Sequence, residues 1–198
     1  YTYRLLHRSL ENDLALADFP YYNEPLSPSS GMQSQLPVLL AEYTFRTKRD
    51  VTDYLALLDQ IDDYFASLLL YEQEKAAAGF FMPACSSEKV RKQCDTIVTT
   101  EELAQGTHFL QTTFEDRLSE LQKQGLFTPE ETASLIKTNN RLLVTVVQPA
   151  YAALSEGLHS LETSTNADST ASETTANTAS GKNSSAHNGL PKGLALLP

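Results

Sequence analysis

An all-α fold, an irregular array of about six helices with long amphipathic members, is predicted by three observations. Apolar residues recur at three- and four-residue intervals over most of residues 1–162, the period of a helix with one buried face. Residues 50–78 carry that pattern without a single Gly or Pro. Helix-start and helix-stop signatures divide the rest into segments of helical length.

Taken in order, Tyr1–Ala17 spaces Leu5, Leu6, Leu10, Leu14 and Leu16 among Arg4, Arg8, Glu11 and Asp13, which predicts a helix. Phe19 to Gln35 is punctuated by Pro20, Pro25, Pro28 and Gly31 and reads as extended or turned chain. Leu36–Phe45 is apolar again, with Pro37 suited to a first helical turn, where a missing N–H costs nothing. From Asp50 or Thr52 to about Ala78, Val51, Tyr54, Leu55, Leu58, Ile61, Phe65, Leu68, Leu69 and Tyr71 predict one long helix, ended by Gly79 and Pro83. Ser86 or Ser87 can cap the next, which runs through Val90, Cys94 and Ile97. Thr99-x-x-Glu102 and Thr128-Pro129-Glu130-Glu131 fit capping boxes. Between them Phe109, Leu110, Phe114, Leu118 and Leu121 mark a helix stopped near Gly125. The helix opened by Thr128 continues in phase through Leu161, with a kink expected at Pro149, whose ring blocks a backbone hydrogen bond. The long 50–78 helix is expected to pack on the 107–124 and 129–161 helices.

Residues 1–162 therefore form the helical region. Residues 163–189 are dominated by Ser, Thr, Ala and Asn, lack large apolar side chains and are expected to be a flexible insertion or linker, since such a segment buries too little to offset its ordering entropy. Asn183-Ser184-Ser185 fits the N-glycosylation pattern there, a match that chance supplies readily in such sequence. Residues 190–198 regain apolar character, as the start of a further folded segment. The chain opens without Met and stops straight after GLALLP, so it is read as an interior piece of a larger protein.

With 198 residues, 41% hydrophobic and 20% charged, the chain has an ordinary globular composition and room for one sizeable core or two small ones. The net charge of −10 and pI near 4.8 argue against nucleic acid and anionic membrane surfaces as partners, because phosphates demand clustered Lys and Arg. No apolar run approaches the roughly 18 residues of a membrane span. Cys85 and Cys94 could be two free thiols, or could pair if the chain folds back between them.

Chemistry-bearing patterns are few. His7, His108, His159 and His187 stand in no spacing that aims two imidazoles at one metal; His159/Glu162 and His108/Glu115 share helix faces, as many surface pairs do. There is no nucleophile elbow and no Gly-rich phosphate loop. Asp59/Asp62/Asp63 and Glu72/Glu74 read as a solvated outer face. Tyr21, Tyr22 and Tyr43 could line a pocket, although packing with a hydrogen-bonded rim is the commoner use of Tyr. The stretch singled out is Ser27–Gln35: Pro28 restricts it, Gly31 permits close approach, and Ser30, Gly31, Gln33 and Gln35 offer neutral groups for holding a peptide backbone. A plain helix-to-helix connection uses the same residue types.

The segments DFPYYNEPLSPSSGMQSQLPVLLAEYTF (18–45), DVTDYLALLDQIDDYF (50–65), YEQEKAAAGFFMP (71–83), EKVRKQC (88–94), QPAY (148–151) and GLALLP (193–198) resemble the DUF885 family of large bacterial proteins, in the family's order. The resemblance implies a helical, gluzincin-type zinc metallopeptidase-like protein, exported or lipoprotein-anchored and therefore extracytoplasmic. The family's metal motif, a His-Glu pair followed by Pro-Gly-His, lies downstream of the last block and matches no position here. No catalytic or zinc-binding residue is therefore expected in this chain, and zinc belongs to the parent protein. The stretch at 163–189 departs from the family, where a shorter connection precedes the last block. The expected role is a non-catalytic helical portion that helps form the substrate cleft, with the downstream catalytic part of the same polypeptide and a peptide substrate as partners. The alternative is a helical binding or scaffold module without activity.

Overall fold

Side-chain capping sets where four of the helices begin. The computed structural model describes the backbone of residues 1–176 and the side chains of residues 1–164, and every regular element among them is helical. The chain divides into two units, Tyr1–Thr165 and Asn166–Pro198; the account below concerns the first. Helix α1 spans Thr2–Leu16 and buries none of its residues. Helix α2 spans Met32–Glu42, four residues earlier at its start than Pro37 suggested. Pro37 thus sits inside the helix, where its missing N–H leaves the Gln33 carbonyl without its helical donor. The Tyr151 hydroxyl supplies the replacement, donating to Gln33 O at 2.8 Å in a buried position. A distant side chain makes this proline tolerable.

The expected 50–78 helix is two helices. Helix α3, Lys48–Leu58, opens on a capping box in which Thr47 accepts from the Asp50 N–H and the Asp50 carboxylate accepts from the Thr47 N–H. Helix α4, Ile61–Ala77, follows after a tight turn closed by the Gln60 N–H donating to Leu57 O. Asp62 and Asp63 fall in the first turn of α4, where carboxylates suit the positive end of the helix dipole. The same pair inside an unbroken helix would have no such role. Gly79, at φ +83°, closes α4: its N–H donates to Ala76 O and that of Phe80 to Lys75 O, the paired bonds of a Schellman motif.

Helix α5, Ala84–Ile97, starts at Pro83 rather than at Ser86 or Ser87, because the Pro83 carbonyl already receives both serine N–H groups. Thr99 caps the short α6, Thr100–Gln105. Helix α7, Phe109–Lys123, is capped by His108, whose Nδ1 accepts from the Leu110 N–H while Nε2 lies 2.8 Å from Ile97 O. That ring is buried and satisfied at both nitrogens. Helix α8, Pro129–Leu142, opens on the expected Thr128/Glu131 box. The kink expected at Pro149 takes the form of a π-helical turn over Leu143–Val147, in which the Gln148 N–H bonds Leu143 O. Helix α9 then runs Gln148–Ala176, so it enters the segment expected above to be a linker. Residues 177–198, including Asn183 and the 190–198 segment, lie outside the described residues.

In the core α3 packs on α8 and the π turn and α4 on the π turn, while α3 meets α7 through Tyr54 and Phe114. Tyr54 stacks on Phe114 and Phe45 meets both edge-on, with centroids 5.4–5.5 Å apart, each ring worth roughly 1.5–3 kcal/mol in removed apolar surface. The Arg117 guanidinium lies 4.5 Å from the Phe45 centroid and donates to the Leu40 and Tyr43 carbonyls, closing the C-terminal end of α2. On the other side, Phe65 of α4 meets Tyr151 edge-on at 4.8 Å, and Gly157 of α9 leaves room for Leu69, whose Cδ2 lies 2.4 Å from the position a Cβ would take. Cys94 is buried, Cys85 exposed, and both are free thiols.

Tyr151→Phe keeps the ring packing and strands the Gln33 carbonyl. It is expected to cost about 1–3 kcal/mol, read as a lower midpoint in urea unfolding with unchanged slope.

Candidate functional site

The Ser27–Gln35 segment folds into a hydrogen-bonded knot. The Gly31 N–H donates to Ser27 O at 3.0 Å, and the Met32 N–H to Pro25 O at 2.9 Å. The Gln33 side chain is wholly buried; its Nε2 donates to Ser27 O at 2.8 Å and to Gln93 Oε1 of α5 at 2.9 Å. Gln93 Nε2 returns a bond to Pro28 O at 2.9 Å. One bond thus joins the two amides, and each also donates to the loop backbone. Gly31 is buried beneath them with a φ of −72°, so space rather than dihedral freedom selects glycine there. Ser30 and Gln35 reach solvent, and Gln35 Nε2 donates to Ser30 O at 3.1 Å. All four singled-out residues therefore meet in one turn, and their recorded bonds brace it.

The concave surface lies next to this knot. A groove of about 660 Å³ runs between α2 and the α3–α4 corner, lined by Met32, Leu36, Leu39, Tyr43, Leu57 and Tyr64, among others, with Gln60 and Asp63 at its polar edge. Leu39 is 56% exposed and Leu57 48%. The break between α3 and α4 shapes one wall, which an unbroken helix could not have done. None of Ser30, Gly31, Gln33 and Gln35 is among the lining residues. Tyr43, named above as able to line a pocket, does line the groove, whereas Leu39 and Leu57 carry the same apolar periodicity as core residues, and only the place of the helix break shows which face stays open.

The strongest electrostatic feature is buried. Glu72 and Lys75 of α4 are buried, although residues 72–74 read as a solvated face. The reason lies 51 positions from Lys75: the Glu24 carboxylate from the loop before α2 pairs with Lys75 Nζ, which also lies 3.6 Å from Glu72 Oε2. Two carboxylates share one ammonium, so burial first, and the Glu24 charge second, raise Glu72 from 4.5 to about 7. Asp59, Asp62, Asp63 and Glu74 are exposed, as expected. Among the described residues no group of three or more His, Cys, Asp or Glu could hold a metal ion. Glu162 instead meets Arg91 at 3.2 Å and Ser87 at 3.3 Å, and His108 is the cap described above.

These features define an all-helical array in which a buried amide knot frames an apolar groove. The chain belongs to the DUF885 family: the family described as "Bacterial protein of unknown function (DUF885)" matches residues 1–186. A crystal structure of "the putative lipoprotein from Colwellia psychrerythraea" is similar in fold, with a TM-score of 0.62 and 20% identity over 69% of this chain and 23% of that one. The matched region thus spans less than a quarter of that protein. No curated protein matches the chain.

A Cβ on Gly31 would fall 2.1 Å from Gln33 Oε1 and 2.4 Å from the Ser27 nitrogen. Gly31→Ala is therefore expected to cost about 2–3 kcal/mol, seen as a lower melting temperature. For Glu72 the folded pKa lies above the unfolded one, so the native state holds the extra proton. Stability contributed by that proton is full below about 4.5 and is lost as pH rises through about 7. Glu72→Gln should flatten the fall in melting temperature over that window, and a slope identical to wild type would refute the assignment.

Proposed function

We propose that this chain is the non-catalytic helical wall of a larger zinc-dependent peptidase-like protein and helps form its substrate cleft. The observation that carries this reading is the groove beside α2, whose exposed leucines and tyrosines suit the side chains of a bound peptide. Its neighbouring knot fixes α2 before any ligand arrives, which lowers the ordering cost of binding. Ser30 and Gln35, the two singled-out residues that reach solvent, are the ones available to a peptide backbone. Zinc and the catalytic groups belong, in this reading, to the downstream part of the same polypeptide. The reading also puts the protein outside the cytoplasm, exported or lipoprotein-anchored; its support is the lipoprotein description of the structural neighbour. No helix among the described residues is long and apolar enough to cross a membrane.

A second reading, a helical binding or scaffold module without activity, is favoured by α1. Its Leu6, Leu10 and Leu14 share one face with Tyr3, and no residue of the helix is buried.

Metal content and peptide hydrolysis of the full-length protein, with and without chelator, separate the two. Stoichiometric zinc and chelator-sensitive cleavage are expected. In that background Leu39→Asp, a change at an exposed position, should raise KM about tenfold with little change in kcat. A metal-free, inactive protein would favour the scaffold module instead.

A further inference from the structure

Apart from the groove, the loop between α1 and α2 builds a second cleft with different chemistry. Asp18, Phe19, Pro20, Tyr21, Tyr22 and Phe80 line a space of about 320 Å³. Phe19, Tyr22 and Phe80 are 63%, 75% and 58% exposed, an unusual outlay of aromatic surface for one short loop and one helix end. Two of the rings, Tyr21 and Phe80, are held by their neighbours. Tyr21 stacks on Phe80 with centroids 6.2 Å apart and meets Tyr71 at 6.0 Å. The Tyr71 hydroxyl lies 2.9 Å from Pro20 O and 3.0 Å from Asn23 O, so its proton pins the turn that carries the rings. Phe80 is the residue after the Schellman glycine, its backbone fixed by the bond to Lys75 O.

The lining is selective in charge. Asp18 is its single ionisable acid, and it contains no Lys or Arg. Ring faces carry negative quadrupole potential, and a carboxylate beside them adds to it; together they attract a cation and repel an anion. A sugar would need several directional polar partners, and apart from Asp18 the lining side chains offer only the tyrosine hydroxyls. We propose that this cleft binds a small, free organic cation of the quaternary ammonium class, with Phe19, Tyr21, Tyr22 and Phe80 around the methylated head and Asp18 as counter-charge. The site is separate from the α2 groove and does not depend on the reading given for it.

The test is titration of the full-length protein with choline, followed by calorimetry and by saturation-transfer NMR on the choline methyl protons. 3,3-Dimethylbutan-1-ol, the neutral carbon isostere, is run in parallel. Saturable choline binding is expected, about tenfold tighter than the isostere. Tyr22→Ala should weaken choline roughly three- to tenfold, and Asp18→Asn should weaken choline while leaving the isostere unchanged. Both positions are exposed, so the variants should fold, which unchanged melting temperatures would check. Absence of saturable binding, equal affinity for the isostere, or choline binding indifferent to both substitutions would each overturn the proposal.

Discussion

The buried contact between the Tyr151 hydroxyl and the Gln33 carbonyl is the constraint on which the rest depends. Pro37 removes the donor that an ordinary helix would supply at that carbonyl, and an unpaired buried carbonyl costs free energy comparable to a lost hydrogen bond. Tyr151 resolves it from α9, and the same residue packs edge-on against Phe65 of α4. On the opposite side Gln33 spends its amide on Ser27 and on Gln93 of α5. One residue thus fastens the loop, α2, α5 and α9, and through Tyr151 also α4. Displacing any of these would leave a buried polar group without its partner, so the arrangement has little freedom to drift.

That rigidity gives the groove its meaning. The knot and the Arg117 guanidinium hold α2 at its two ends, the first at Gln33 and the second at the Leu40 and Tyr43 carbonyls. Between those anchors Leu36 and Leu39 face the corner made by α3 and α4. A surface so held keeps its shape without a ligand, and the exposed leucines remain beside it because nothing among the described residues covers them. The Glu24–Lys75–Glu72 trio does comparable work for the preceding loop, tying its acidic residue to a buried ammonium. Burial disfavours the charged form of Glu72 and the nearby Glu24 carboxylate adds to that, which is why Glu72 is raised towards 7.

Much of this was legible in the chain, because capping is local. Thr128-Pro129-Glu130-Glu131 names its helix start, since both hydrogen bonds of the box close within four residues. The Thr47–Asp50 box is equally local, but the in-phase apolar residues that follow it suggest one long helix and hide the break after Leu58. Asp62-Asp63 was the available sign of a second start. The singled-out Ser27–Gln35 segment was found from its Pro, Gly and amides, yet these residue types describe a binding loop and a braced turn equally well. Only their partners, Gln93 and Tyr151, distinguish a bonded knot from an open loop.

By itself the sequence determined the helical class, the caps at Thr99 and Thr128, the stop at Gly79 and the absence of a phosphate loop or nucleophile elbow, because these rest on neighbours within about one turn of chain. The tertiary structure alone decided where Pro37 falls in its helix, that Glu72 and Lys75 are interior, that α1 buries nothing, and which leucines line a groove instead of the core. The first two depend on residues dozens of positions away, Tyr151 for Pro37 and Glu24 for Lys75. Helical periodicity records that a face is apolar but not what meets it. Which faces meet is settled by long-range packing and by the buried polar groups that must find partners.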